Sequence, residues 1–264
     1  MSEGHPKFGA IYEGTAAPLS VLRGWRTFLH LSVPWIVLIL SPVAALRLVG
    51  YVDGPARGTL FVADAMLVVS ALVVSFPSIA VAWVRWTSKG ERPRGMIALP
   101  DRLVPVIVWR LWIFFASVVV LERWFASGLH SVEAMAHLPR LAFVDTIASA
   151  VADAVVVVVA SDRMLRLTAL AVGDTYTSDV SVALHRKMWP SLPLGLVIAL
   201  APFYVLRQGL SAFFDFEKLA TGYHLYDPVV LGFEGVGIVL GFAGVASGAA
   251  FLSHAYRSTK PQVC

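Results

Sequence analysis

Residues 229–256 read VVLGFEGVGIVLGFAGVASGAAFLSHAY, an apolar run in which Glu234 is the only formally charged side chain. About 20 apolar residues in a helix, at about 1.5 Å per residue, cross the roughly 30 Å hydrocarbon core of a bilayer. This run exceeds that length, and its apolar residues are not confined to one stripe, as they would be in a surface helix. The sequence therefore predicts a transmembrane helix here.

The rest of the chain follows the same pattern. Of its 264 residues 58% are hydrophobic and 14% are charged, with a mean hydropathy of +0.74, whereas soluble domains are about 45–50% apolar and about 25% charged. We predict an all-α, polytopic membrane helix bundle that forms a single transmembrane domain over residues 1–264. Its six spans are expected near residues 27–46, 61–84, 103–121, 141–161, 188–206 and 229–256.

The distribution of basic residues orients these spans. If the N-terminus is inside, 15 of the 21 lysines and arginines lie on the cytoplasmic side or at nearby span ends, which is the positive-inside bias. We therefore expect a bacterial inner-membrane protein with both termini in the cytoplasm. The net charge of +4 is explained by this bias and does not require a nucleic-acid partner. Cys264, the only cysteine, permits no internal disulfide.

Aromatic and amphipathic segments flank the spans. Two amphipathic cytoplasmic segments are expected at residues 17–29 and 178–189, each leading into a span. The basic loop 85–102 either binds anionic lipid headgroups or only sets the topology. Six aromatic residues lie near predicted span ends, as interface aromatics do: Trp25, Trp83, Trp86, Trp124, Trp189 and Tyr256.

A weak internal repeat relates spans 1–2 to spans 5–6. Residues 41–47 read SPVAALR and residues 201–207 read APFYVLR, and both follow the pattern small-Pro-x-x-x-Leu-Arg. Both copies run in the same direction, so the predicted repeat is parallel. Chance similarity between apolar segments is the alternative.

Ionisable residues inside the spans are candidate functional groups, because such residues are rare in lipid and face protein or water. Arg110 in span three and Asp153 in span four lie at matching depths, which predicts an ion pair or a shared polar network. This pair either fixes the packing of the two spans or lines a path for a proton or an anion. Further intramembrane polar residues are Asp145, Asp64, Glu234, Arg47 and Arg207, and the last four are expected to form Arg–acid clasps at the outer ends of the two repeats.

Glycine spacing in span six predicts close helix packing. Gly237 and Gly241 form one GxxxG motif, and Gly244 and Gly248 form another, and such small faces allow backbones to approach closely. Packing within the bundle and a dimer interface are both consistent with this pattern.

No motif for catalysis or for nucleotide binding is present, and we expect no cofactor. His130, Glu133 and His137 would share one face of a helix, which makes them a weak candidate metal site. The simpler interpretation is that these three are ordinary residues beside the membrane and bind no metal.

Two segments carry a resemblance to other proteins. Residues 166–189 (RLTALAVGDTYTSDVSVALHRKMW) and 83–102 (WVRWTSKGERPRGMIALPDR) are similar to a broad group of six-span bacterial inner-membrane proteins. The group includes the membrane domains attached to some glycerophosphodiester phosphodiesterases. The resemblance implies a six-helix bundle and no particular activity.

Three classes of function remain on these grounds, of which a membrane enzyme acting on lipid ranks last because no recognisable motif supports it. The first is a non-enzymatic accessory, assembly or lipid-interacting protein, with the lipid bilayer, anionic lipids, a membrane-protein partner or a second copy as its partners. The second is a small-solute or ion transporter or channel that uses Arg110 and Asp153.

Overall fold

The computed structural model describes residues 9–49, 56–91, 188–221 and 228–259, together with Arg186 and scattered positions between 151 and 173. The described residues are helical except at turns and chain breaks, and no strand occurs among them. The continuous helices are α1 (Ala10–Arg23), α2 (Trp25–Val49), α3 (Ala56–Lys89), α4 (Ser191–Thr221) and α5 (Pro228–Thr259).

Three described helices are long and apolar enough to cross a membrane, over Ser70–Lys89, Ser191–Ser211 and Gly232–Ser258. A fourth span results if α1 and the first part of α2, which meet at an angle of 77°, are counted together. The chain is therefore an all-helical protein with three to four potential membrane spans in its described part. Predicted span three lies outside the described residues, as does most of span four.

Helix α5 lies at the centre of the described bundle and contacts each of the other four helices. It runs antiparallel to α4, where the Ser247 hydroxyl donates a hydrogen bond to the Ala199 carbonyl (2.8 Å). It runs parallel to α3, where Phe76 meets Phe242 edge to face with ring centroids 5.7 Å apart. Because α2 is antiparallel to α3, α2 and α4 begin at the end of the bundle where α3 and α5 finish.

We call this end the basic end, because it holds most of the described cations. The Ser88 and Ser253 hydroxyls are hydrogen-bonded there (2.6 Å), which ties α3 to α5. The described basic residues in these terminal turns are Arg23, Arg26, Arg85, Lys89, Arg186 and Arg257.

Two glycines end helices at the basic end. Gly90 follows α3 with a φ of 67°, and its N–H donates to the Trp86 carbonyl (3.0 Å), as glycine commonly does past a helix C-terminus. Described positions from Val151 to Val172 are helical and stop at Gly173, whose φ is 85°. The described helical positions continue past residue 161, where span four was expected to end, and the Arg85 Nε donates to the Ala171 carbonyl (3.0 Å).

The aromatic residues near the span ends divide into two groups. Trp25 and Trp189 are 54% and 52% exposed, in agreement with the prediction that they lie at an interface. Trp83 and Tyr256 are 0% and 3% exposed, so the same prediction is wrong for these two. The reason is that both rings face neighbouring helices of the bundle, and α3 continues six residues beyond Trp83 and α5 three residues beyond Tyr256.

Candidate functional site

Several predicted site residues lie outside the described part of the chain. Arg110, Asp145 and Asp153 belong to this group, and so do the metal candidates His130, Glu133 and His137. Their pairing stays a prediction. Within the described residues, no group of three or more His, Cys, Asp or Glu side chains is placed to hold a metal ion.

The expected Arg–acid clasps at the other end of the bundle stay a prediction. Arg47 and Asp64 lie on α2 and α3, but their side chains are outside the described set. Arg207 and Glu234 are both exposed. Phe213 packs against Phe233, and this antiparallel register places Arg207 opposite the fifth residue after Glu234. The Cα atoms of Arg207 and Glu234 are therefore offset by about 7.5 Å along the helix axis.

The four glycines of the two GxxxG motifs have different surroundings. Gly244 and Gly248 lie against α4, and a methyl group on Gly248 would be 3.3 Å from both Leu196 Cδ1 and Leu200 Cδ2. A methyl group on Gly237 or Gly241 would meet no described atom within 4 Å. The second motif therefore packs α5 on α4, and the first stays a candidate for contact with another helix.

Replacing Gly248 by leucine is expected to lower the free energy of unfolding by about 1–3 kcal/mol, because the new side chain overpacks the contact with Leu196 and Leu200. Gly241→Leu is the matched control on the same helix and should cost less than about 0.5 kcal/mol. Unfolding by sodium dodecyl sulfate in mixed micelles, followed by circular dichroism, measures both. Equal losses for the two variants would contradict the assigned packing.

Helix α1 presents three different faces. Its inner face carries small residues: Ala10, Gly14 and Ala17 are buried, and a methyl group on Gly14 would lie 2.7 Å from the Gly195 carbonyl of α4. A second face exposes the large apolar side chains of Ile11, Leu19 and Leu22. At about 100° per residue, Glu13 and Ser20 lie on the third face, which is polar.

The polar face of α1 contacts the end of α5. Glu13 Oε2 lies 3.5 Å from His254 Nδ1, and the two side chains are 29% and 53% exposed. Such an exposed pair contributes only about 0–1 kcal/mol to the free energy of unfolding when both side chains are charged. The contact nevertheless shows how α1 is rotated: its polar face points toward the basic end of α5.

The junction of α1 and α2, residues Arg23, Gly24 and Trp25, is called the elbow below. A methyl group on Gly24 would overlap the Trp86 ring of α3 and would lie 3.0 Å from the Trp83 ring. Glycine therefore allows the close approach at which the chain turns by 77°. Trp83 and Trp86 pack against each other behind it, with ring centroids 4.7 Å apart.

Three buried polar atoms in α2 and α3 have no hydrogen-bond partner among the described residues: Ser32 Oγ, Trp35 Nε1 and Trp83 Nε1. Indole nitrogens usually find an acceptor when buried. Their burial depends on ring packing instead, since Phe28 meets the Trp83 ring edge to face at 6.4 Å. The sequence does not show which tryptophans are buried, because buried and exposed tryptophans both occur within apolar runs.

The described part of the basic end thus combines exposed cations, exposed indoles and an apolar helix face. This set has the chemistry of a membrane–water interface, where indole rings and basic residues concentrate. Comparison with known proteins adds no assignment: no protein-family model, curated protein or solved structure matches the chain. The resemblance to six-span bacterial proteins therefore stays a prediction.

Proposed function

We propose that this chain is a lipid-interacting, non-enzymatic accessory protein of a bacterial inner membrane, with six spans and both termini in the cytoplasm. In this proposal α1 lies in the headgroup layer of the cytoplasmic leaflet. The observation that carries it is the division of α1 into a packed face of small residues, an apolar face and a polar face.

The exposed apolar face supports this position. Ile11 and Leu22 are 63% and 66% exposed, and contact with water costs such side chains about 25 cal/mol per Å² of apolar surface. A helix that lies in the interface buries this face in the boundary between headgroups and acyl chains. The polar face with Glu13 then remains in water, where His254 also lies.

The angle between α1 and α2 supports the same arrangement. If the apolar part of α2 crosses the bilayer, a turn of 77° brings α1 close to the membrane plane. The contact of Gly14 with Gly195 fixes α1 about one turn from the start of α4, at the depth where a span leaves the hydrocarbon. A basic cytoplasmic side agrees with the positive-inside rule.

One label on the apolar face of α1 and one on its polar face test the proposal. In a Cys264→Ser background, the Leu22→Cys and Ser20→Cys variants are labelled with a fluorophore and placed in lipid nanodiscs. We expect spin-labelled lipid to quench the label at position 22, and aqueous iodide to quench the matched label at position 20. If iodide quenches both positions equally and spin-labelled lipid quenches neither, α1 does not lie in the headgroup layer.

A further inference from the structure

We infer that the elbow binds the phosphate of an anionic phospholipid. This inference rests on the proposed function, because it requires the elbow to lie at the depth of the headgroups. The observation that carries it is the contact of Gly24 with Trp86, beside an exposed indole and three cations that have no carboxylate partner among the described residues.

The packing of Gly24 on Trp86 brings two parts of the chain together. One part is the elbow, in which Arg23 precedes Gly24, together with Arg26, the first residue after the elbow. The other is the last turn of α3, in which Lys89 follows Trp86 by three residues and so lies on the same side of the helix. The contact of the elbow with the last turn of α3, called the corner below, thus brings together two segments that carry three cations, and the Lys89 Nζ lies 3.8 Å from the position of a methyl group on Gly173.

The side chains of these cations are accessible to a ligand. Arg23, Arg26 and Lys89 are exposed, and no carboxylate pairs with any of them in the described part of the chain. Glu91, also exposed, is the nearest described acid in sequence, and it leaves the corner with an excess of positive charge. Arg85 differs from the other three, because its guanidinium already holds the Ala171 carbonyl.

The aromatic part of the corner indicates a lipid rather than a soluble anion. The Arg26 guanidinium lies over the Trp25 ring, 5.6 Å from its centroid, and more than half of that ring is exposed. Exposed indoles concentrate at the level of lipid headgroups. An arginine held against such a ring presents its N–H groups to phosphate oxygens, which it binds in a bidentate manner.

The number of charged residues sets how strongly this site should prefer an anionic lipid to a zwitterionic one. Each basic residue near an anionic membrane surface contributes a factor of about five in affinity. Two arginines and one lysine, partly offset by Glu91, should therefore favour phosphatidylglycerol over phosphatidylcholine by about 10-fold or more. The preference should weaken at high salt, since exposed charges are screened within a Debye length of about 10 Å at 0.1 M.

The test uses the full chain in phosphatidylcholine nanodiscs, with the Leu22→Cys label and a trace of spin-labelled lipid. Quenching by spin-labelled phosphatidylglycerol is compared with quenching by spin-labelled phosphatidylcholine. We expect phosphatidylglycerol to quench at about one tenth of the concentration. The Arg23→Gln/Arg26→Gln/Lys89→Gln variant should lose this preference, and Arg207→Gln, an exposed arginine at the other end, should retain it.

The outcomes separate the inference from the proposed function. Equal quenching by the two lipids leaves α1 in the headgroup layer but overturns the phosphate site. Quenching by neither lipid overturns both. Inorganic phosphate at 10 mM should not displace the lipid; if it does, the corner binds soluble anions and the lipid assignment is wrong. Circular dichroism in the nanodiscs verifies that each variant is folded, and a triple variant that keeps the full preference would also overturn the site.

Discussion

Replacing Gly195 by leucine is expected to detach α1 from the bundle. A methyl group at this position of α4 would overlap the Phe251 ring of α5 and would lie 2.9 Å from the Ala10 carbonyl of α1. The ring can move only into a filled core, since Phe251 is fully buried, and a backbone carbonyl cannot move without its helix. We expect a loss of about 1–3 kcal/mol or more in the free energy of unfolding.

Detachment has a direct measurement. Ala17 is 4% exposed on the inner face of α1, so a cysteine there, in a Cys264→Ser background, should react slowly with a water-soluble maleimide. In the Gly195→Leu variant the same cysteine should react many times faster. Cysteine is small enough to replace Ala17 with little change in packing.

The matched control for this experiment is Gly209→Leu, about four turns further along the same helix. A methyl group on Gly209 would meet no described atom within 4 Å, and leucine is the better helix former by nearly 1 kcal/mol. This variant should be neutral or slightly more stable, with Ala17→Cys still protected. If Ala17→Cys is equally protected in the Gly195→Leu variant, the close contact of α1 with α4 is wrong.

The helices themselves were predictable from hydropathy. Predicted span six, residues 229–256, differs from α5 by one residue at its start and three at its end. Predicted span five, residues 188–206, begins three residues before α4, but α4 continues to Thr221. Length and apolarity dominate the free energy of a span, so composition alone locates it.

The elbow was not predictable in the same way. The amphipathic segment expected at residues 17–29 contains the turn at Gly24: residues 17–23 belong to α1 and residues 25–29 to α2. Local sequence does not decide where such a turn falls. The chain turns where a glycine can approach Trp86, and that ring comes from a helix some sixty residues away.

Register is a second property that a single sequence conceals. The expected clasp between Arg207 and Glu234 assumed equal depths, which follows only if both spans begin and end at the same level. Contacts of Ser247 with Ala199 and of Phe213 with Phe233 set the alignment of the two helices, in which the Cα atoms of Arg207 and Glu234 are offset by about 7.5 Å along the axis. Side-chain packing between two helices fixes this alignment, and it leaves no periodic signal in either one.

Truncation of Trp83 to alanine is expected to be the most destabilising single change at the basic end. The ring is 0% exposed, meets Phe28 edge to face and packs on Trp86, which in turn contacts Gly24. Removing a buried tryptophan costs about 3–5 kcal/mol through lost packing and the cavity left behind. The elbow should also loosen, because Trp86 loses the ring behind it.

Two further variants make this prediction specific. Trp25→Ala removes an exposed indole from the neighbouring elbow and should cost less than about 1 kcal/mol, although it should weaken binding of phosphatidylglycerol. Trp83→Phe keeps an aromatic ring and gives up an Nε1 that has no described partner, so its cost should fall well below that of Trp83→Ala. Unfolding by sodium dodecyl sulfate ranks the three variants. If Trp25→Ala proved as costly as Trp83→Ala, both tryptophans would be in equivalent surroundings, and Trp83 would be an interface residue, as its position near a span end first indicated.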